Sequence, residues 1–201
     1  MTRFRLPLRR HPRGLMVACA LLSLTAAWTP LPAPRRLSAP IMVILVRHAE
    51  KVLGAGNDPP LTPAGAQRAQ QLAAALHDAG VSTVITSQWR RTKATAEPLA
   101  TARQLTPLVI PIAGDSIEPH ARAVAAAVRQ AGGVVLVVGH SDTVPAIIAA
   151  LGGPTLMEIC STDYANLYVL QLDALGAAHL VRGSYGAAAP RDSSCGAMVR
   201  P

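Results

Sequence analysis

From residue 41 onward, the sequence alternates between apolar runs that are typical of strands and amphipathic stretches that are typical of helices. The runs IMVILV (41–46) and VVLVVG (134–139) contain no polar side chain, which indicates strands buried on both faces of a sheet. Strands are also predicted at 81–87, 107–112, 165–173 and 179–186, and helices at 61–80, 91–103, 118–132 and 144–153. This alternation predicts a three-layer α/β sandwich around a mostly parallel sheet.

The first predicted helix has clear boundary signals. Thr62 stands where an N-cap is expected, Pro63 occupies the first helical position, and Gly80 is placed to end the helix. The next helix contains Pro98, which removes a backbone donor and so is expected to kink or divide it.

The positive charge of the chain is concentrated at its beginning. The formal net charge is +8, but the first 36 residues hold seven basic residues and no acidic ones. The remainder has 12 basic and 11 acidic residues and is close to neutral. A basic surface for nucleic acid is therefore not expected on the folded domain, and we expect no nucleic-acid partner.

The first 28 residues are typical of a signal peptide. A basic segment precedes the apolar stretch LMVACALLSLTAAW, which is short for a membrane-spanning helix. Residues 29–40 are rich in proline and read as a linker, so the domain is predicted at 41–201. We expect export to the periplasm or secretion, with membrane contact only through an uncleaved leader. In an oxidising compartment Cys160 and Cys195 would either pair or stay free, and their disulfide is a hypothesis.

Basic side chains follow three of the predicted strands. One apolar run leads into Arg47 and His48, another leads into His140, and Arg91 comes shortly after the strand at 81–87. Ligands of open α/β sheets collect beyond the carboxyl ends of the strands, so we expect these four side chains at one edge. Guanidinium groups match phosphate oxygens, and an imidazole can attack phosphorus or hold the charge that develops on it. The pattern therefore predicts a phosphoryl site.

Other kinds of site receive less support from the sequence. The cysteines lack metal-ligand spacing, and no two histidines stand at helical ligand spacing, so we expect no metal and no cofactor. The sequence GAG (54–56) is too short to count as a phosphate-binding glycine loop. The remaining histidines follow no apolar strand and are expected to have structural or surface positions: His11, His77, His120 and His179.

Four motifs together resemble the histidine phosphatase superfamily, in its short, phosphatase-like branch with a phosphoglycerate-mutase-like fold. They are RHAEK (47–51), LTPAGAQRA (61–69), TSQWRRTKATAEPLA (86–100) and VVGHSDTVP (137–145). The resemblance implies that His48 is the nucleophile of a phosphohistidine intermediate and that His140 contacts the same phosphate. It also implies that Arg47 and Arg91 bind the phosphate. Arg91 matches the family pattern rather than Arg90, because the family's arginine stands four residues after the serine.

Two carboxylates compete for the role of general acid. Glu118, at the start of a predicted helix, resembles the placement in mutases and is the favoured candidate. Asp142 is the rival, since it follows His140 by two residues and loosely resembles the acid phosphatase branch. Glu50 is expected to have a structural role beside the pocket.

The predicted function is a metal-independent, exported phosphomonoesterase whose partner is a small phosphate ester. One alternative is a phosphohistidine-protein phosphatase, which a short chain with an open pocket would suit but export would not. Another is a non-catalytic phosphate-ester-binding module on the same fold, which the uncertain acid keeps open.

Overall fold

The computed structural model describes residues 39–188 except residue 115. The predicted signal peptide, residues 29–38 of the linker and Cys195 lie outside the described residues, so the proposed domain boundaries stay predictions. The described strands are β1 (Ile41–Arg47), β2 (Thr83–Thr86), β3 (Leu108–Val109), β4 (Val134–Gly139), β5 (Asn166–Leu172) and β6 (Ala178–Ser184). The described helices are α1 (Pro63–Ala75), α2 (Arg90–Ala102), α3 (Ile117–Ala131) and α4 (Thr143–Ala150).

All six described strands form one sheet in the order β3-β2-β4-β1-β5-β6. The strands β1 to β4 pair in parallel, while β5 and β6 form an antiparallel pair at the edge next to β1. This confirms the predicted α/β fold with a mostly parallel sheet. The two most apolar strands, β1 and β4, are central neighbours, which explains why they lack alternating polar residues.

The two faces of the sheet are covered by different pairs of helices. On one face Val43 and Leu45 pack in a cluster with residues of α3 and α4. On the other face Ile44 and Val46 pack in a second cluster with residues of α1 and α2. Successive side chains of a strand point to opposite faces, so one short apolar run supplies both cores. The three layers hold the carboxyl ends of β1, β2 and β4 at one edge.

The predicted start of α1 is correct and its predicted end is not. The Thr62 hydroxyl accepts the Gly65 N–H at 3.0 Å, and Pro63 is the first helical residue. The helix ends at Ala75 rather than Gly80, because the chain leaves it through tight turns. Gly80 follows those turns with a φ of 69°, a conformation that favours glycine.

Prolines have contrasting effects on the other boundaries. Helix α2 runs through Pro98 as one element, so the predicted division does not occur. Strand β3 is limited to Leu108–Val109, shorter than the predicted 107–112, and lies between Pro107 and Pro111 at the edge of the sheet. Proline lacks the N–H that a sheet ladder needs, which shortens this strand. None of the helices in the described part of the chain combines the length and the apolar character that a membrane span requires.

Candidate active site

The pairing of β1 with β4 brings His48 and His140 together. Arg47 is in register with Gly139, and the His48 N–H donates to the Gly139 carbonyl at 2.9 Å. Each histidine directly follows its strand, so the two rings meet with their centroids 5.4 Å apart and their planes at 64°. Residues 92 positions apart in the sequence therefore share one site, as the strand-end pattern led us to expect.

The hydrogen bond of His48 fixes the tautomer of its neutral ring. Nδ1 lies 2.8 Å from the Ala49 carbonyl, which can only accept, so Nδ1 carries the proton. Thr95 holds this turn in place, because its hydroxyl accepts the Ala49 N–H at 2.9 Å. Burial, aided by the neighbouring Arg47 and Arg91, lowers the pKa of His48 to about 3. His48 is thus neutral near pH 7 and carries a lone pair on Nε2, which a nucleophile requires.

His140 is held through Nε2, whereas His48 is held through Nδ1. Its Nε2 lies 2.9 Å from the Ser87 hydroxyl, and its backbone N–H donates to the Thr143 hydroxyl at 2.8 Å. Burial, followed by the positive charge of Arg91, lowers the pKa of His140 to about 2. Because Nε2 is occupied, Nδ1 is the ring nitrogen left to contact an anion.

Arg47 is anchored by a loop that the sequence analysis did not connect with the site. Its NH1 donates to the carbonyls of Cys160 and Asp163 at 2.7 and 3.2 Å, and its guanidinium lies 4.3 Å from the centre of the Tyr164 ring. Cys160 is disulfide-bonded. Its hypothesised partner, Cys195, lies outside the described residues, so that pairing stays a prediction. The loop orients Arg47 while Nε, which is buried, has no hydrogen-bond partner in the described structure.

Arg91 lies at the start of α2 with its guanidinium 5.0 Å from the centre of the Trp89 ring. Its Nε and NH1 are buried and make no hydrogen bond within the described part of the chain. Buried polar groups are nearly always hydrogen-bonded, so these donors and that of Arg47 indicate an anionic ligand. Asp58 lies 3.9 Å from NH1 and accepts the Arg90 N–H at 2.8 Å. Arg90 itself is exposed, in keeping with the choice of Arg91.

A cavity of about 310 Å³ opens beside the two histidines. Among the described residues, its wall combines three cationic side chains, one carboxylate and an apolar side. Lys51 is a cation that the sequence analysis did not single out. The lining residues are Arg47, His48, Lys51, Trp89, Arg91, Ile112, Gly114, Ile117, His140, Ser141, Asp142 and Thr143. This volume is at the lower end of ligand pockets, and its charge complements a small anion.

The structure does not bring Glu118 into this cavity. The Glu118 side chain is 86% exposed and lies 3.6 Å from Arg122 on the next turn of α3. Asp142 does line the cavity, and one of its oxygens accepts the Thr143 N–H at 2.7 Å as the N-cap of α4. The helical spacing explains the difference, because a residue in the first turn of α3 can pair outward with one four positions later. The described geometry therefore favours Asp142 over the candidate preferred from sequence.

The remaining candidates have other surroundings. Glu50 accepts from the buried Arg68 guanidinium at 2.9 and 3.0 Å, a contact between the turn after His48 and α1. His120 is 5% exposed with Nδ1 3.4 Å from the Pro111 carbonyl, so it is buried rather than on the surface. The side chain of His77 is exposed. Among the described residues, no group of three or more His, Cys, Asp or Glu could hold a metal ion.

Comparison with known proteins gives a match to a family model and several solved structures with a similar fold. Residues 43–112 match the family model of the histidine phosphatase superfamily (branch 1). The protein histidine phosphatase SixA complexed with tungstate is 21% identical, with a TM-score of 0.56 over 72% of this chain and 97% of that one. The mycobacterial glucosyl-3-phosphoglycerate phosphatase is 17% identical, with a TM-score of 0.53 over 74% and 100%. Mycobacterial hydrolase 2 is 17% identical, with 0.55 over 77% and 94%. Because these identities are low, the comparison with solved structures shows a shared fold and nothing further. No curated protein matches the chain.

Proposed function

We propose that this chain is a member of the histidine phosphatase superfamily, whose family model matches residues 43–112, and that it is an exported phosphomonoesterase working through a phosphohistidine on His48. The observation that carries this proposal is the meeting of His48 and His140, with ring centroids 5.4 Å apart, beside buried arginine N–H groups that have no hydrogen-bond partner among residues 39–114 and 116–188. A phosphoryl group between the two rings would receive donors from Arg47 and Arg91 and a nucleophile from His48.

The first chemical step is the transfer of the phosphoryl group to His48. The Nε2 lone pair attacks phosphorus and forms the N–P bond while the P–O bond to the leaving alcohol breaks. Asp142 acts as the general acid and gives a proton to the leaving oxygen, because among the described residues it is the carboxyl group that lines the cavity. The bond from Nδ1 to the Ala49 carbonyl keeps the ring oriented and stabilises the positive charge that the ring acquires.

The second step returns His48 to its starting state. Asp142, now a carboxylate, takes a proton from water as the water oxygen attacks phosphorus. The N–P bond breaks and inorganic phosphate forms. Arg47, Arg91 and His140 hold the charge on the phosphoryl oxygens in both steps. These steps assign no role to a metal ion, so we propose metal-independent hydrolysis.

The cavity supports a small ester as substrate. Its volume of about 310 Å³ leaves room for a phosphoryl group and a compact leaving group. Export is supported by the disulfide bond at Cys160, since such bonds persist in oxidising compartments. Cell fractionation that recovered the protein only from the cytoplasm, with its leader intact, would contradict export.

Activity on a panel of phosphate esters tests the proposed function. The purified protein should release inorganic phosphate in the presence of a metal chelator, and His48→Ala should lower kcat/KM at least about a thousandfold. The matched control is His77→Ala, because the His77 side chain is 76% exposed and stands on the surface. Near-normal hydrolysis by His48→Ala would refute the mechanism. Tight ester binding without phosphate release would instead indicate a binding module.

A phosphohistidine protein is a second candidate substrate. SixA, which shares the fold, is a protein histidine phosphatase. Including a phosphohistidine-bearing protein in the same panel separates the two candidates. Preference for small esters by kcat/KM supports the first, and preference for the protein supports the second.

A further inference from the structure

Two buried hydroxyl groups connect His140 to the backbone of the turn that precedes α2. The Ser87 hydroxyl lies 2.9 Å from His140 Nε2 and 2.9 Å from the Thr92 hydroxyl. The Thr92 hydroxyl lies 2.9 Å from the Trp89 carbonyl and 3.3 Å from the Ser87 carbonyl. Ser87 is 2% exposed and Thr92 is fully buried, so water does not supply hydrogen-bond partners to these two hydroxyl groups.

The series of hydrogen bonds from His140 through Ser87 and Thr92 has a direction, because it ends on a backbone carbonyl. A carbonyl oxygen can only accept, so the single proton of Thr92 points to the backbone. The Thr92 oxygen is then left to accept the proton of Ser87, and Ser87 in turn accepts from His140 Nε2. Only this order satisfies all three contacts of 2.9 Å with one proton each. It places a proton on Nε2 of His140 and leaves a lone pair on Nδ1.

We propose that Ser87 and Thr92 are positioning residues that hold a proton on Nε2 of His140, so that anion binding draws a second proton onto Nδ1. The second proton comes from solvent and forms an imidazolium that donates from Nδ1 to the bound anion. The Nε2–H donates to the Ser87 hydroxyl before and after this step, so the hydrogen bonds through Ser87 and Thr92 need not change when the ring becomes cationic. The reverse orientation of Ser87, donating to Nε2, would be incompatible with an imidazolium.

The charged and titratable groups around His140 explain why an anion is needed. Among the described residues, they are Arg47 at the end of β1, His48 just after it, Arg91 in α2, His120 in α3 and Asp142 at the N-cap of α4. In the free site, burial and the nearby cationic groups keep the ring neutral. A dianion in contact with the ring reverses the local charge and favours the protonated form.

This inference rests on the anion site of the proposed function, but its test does not depend on turnover. Sulfate stays a dianion near pH 6, so any proton taken up on binding goes to the protein. Calorimetric titration of the purified protein with sulfate, in two buffers with different heats of ionisation, counts that proton. Ser87→Ala and Thr92→Val interrupt this series of hydrogen bonds, whereas Thr92→Ser preserves the hydroxyl. Ser82→Ala is the matched control, because Ser82 is the exposed residue just before β2.

We expect the native protein, Thr92→Ser and Ser82→Ala to take up close to one proton per sulfate. Ser87→Ala and Thr92→Val should take up clearly less and bind sulfate about tenfold more weakly, since a charge-assisted hydrogen bond loses its support. His140→Asn should abolish the uptake, whereas His48→Asn should retain it. Three results would each overturn the proposed role of Ser87 and Thr92. They are no proton uptake by the native protein, native uptake in Ser87→Ala, and equal losses in Thr92→Ser and Thr92→Val. Absent phosphatase activity with intact proton uptake would refute only the proposed function.

Discussion

Two buried neutral histidines make the stability of this fold depend on pH. The pKa of His48 is lowered to about 3 and that of His140 to about 2, whereas histidine in an unfolded chain titrates near about 6.5. Below pH 6.5 the unfolded chain therefore binds protons that the folded chain does not. Stability conferred by keeping these rings neutral is present above that pH and declines as the pH falls toward the folded values.

The change in the free energy of unfolding between pH 7 and pH 5 depends only on the pKa of histidine in the unfolded chain, as long as both rings stay neutral in the folded protein. Each ring then costs about 2 kcal/mol, so the pair lowers the free energy of unfolding by about 4 kcal/mol over this interval. Both side chains are almost fully buried, at 3% and 7% exposure, so solvent screening does not reduce this figure much.

Urea denaturation followed by circular dichroism measures this effect. His48→Asn and His140→Asn should each remove about 2 kcal/mol of the difference between pH 7 and pH 5, whatever they do to stability at pH 7. His77→Asn, at an exposed position, should leave the difference unchanged. The buffers must lack phosphate and sulfate, because anion binding stabilises the folded state. If both buried-site variants keep the full native pH difference, the two rings are not buried as neutral groups.

Three further predictions concern the supports of the site. Gly65→Ala should destabilise the fold by about 1–3 kcal/mol in thermal unfolding, because the new Cβ would clash with the Glu50 carbonyl oxygen; native stability would contradict this close approach. Arg68→Met should cost about 1–3 kcal/mol, since it leaves the partly exposed Glu50 carboxylate without its buried partner, and a loss below about 0.5 kcal/mol would show the pair to be dispensable. Tyr164→Leu should raise KM for a phosphate ester several-fold with a smaller change in kcat, because the ring contacts Arg47; unchanged kinetics would exclude that role.

Much of the fold could be predicted because the strongest signals are local. The apolar runs of β1 and β4 reflect burial on both faces, and Thr62 with Pro63 marks the start of α1 through local hydrogen bonding. The short β3 was not predicted, because an apolar stretch between prolines does not reveal how many residues can pair.

The site was predictable where it depends on strand ends and not where it depends on loops or side-chain direction. His48 and His140 follow strands, so the parallel pairing of β1 and β4 is sufficient to bring them together. The anchoring of Arg47 by the Cys160 and Asp163 carbonyls joins residues more than 110 positions apart and has no periodic signal. Glu118 shows that correct placement at a helix start does not determine which way a side chain points.

The most direct test of the central claim is to trap the phosphorylated protein. The native protein is mixed briefly with an aryl phosphate carrying a labelled phosphoryl group, quenched in alkali, digested and sequenced by mass spectrometry. We expect an alkali-stable, acid-labile label on His48, absent from His48→Ala and accumulating in Asp142→Asn if that carboxylate activates the water. Two results would contradict a phosphohistidine mechanism at this site. One is phosphate release by the native protein with the label on any other residue, and the other is the same label in His48→Ala.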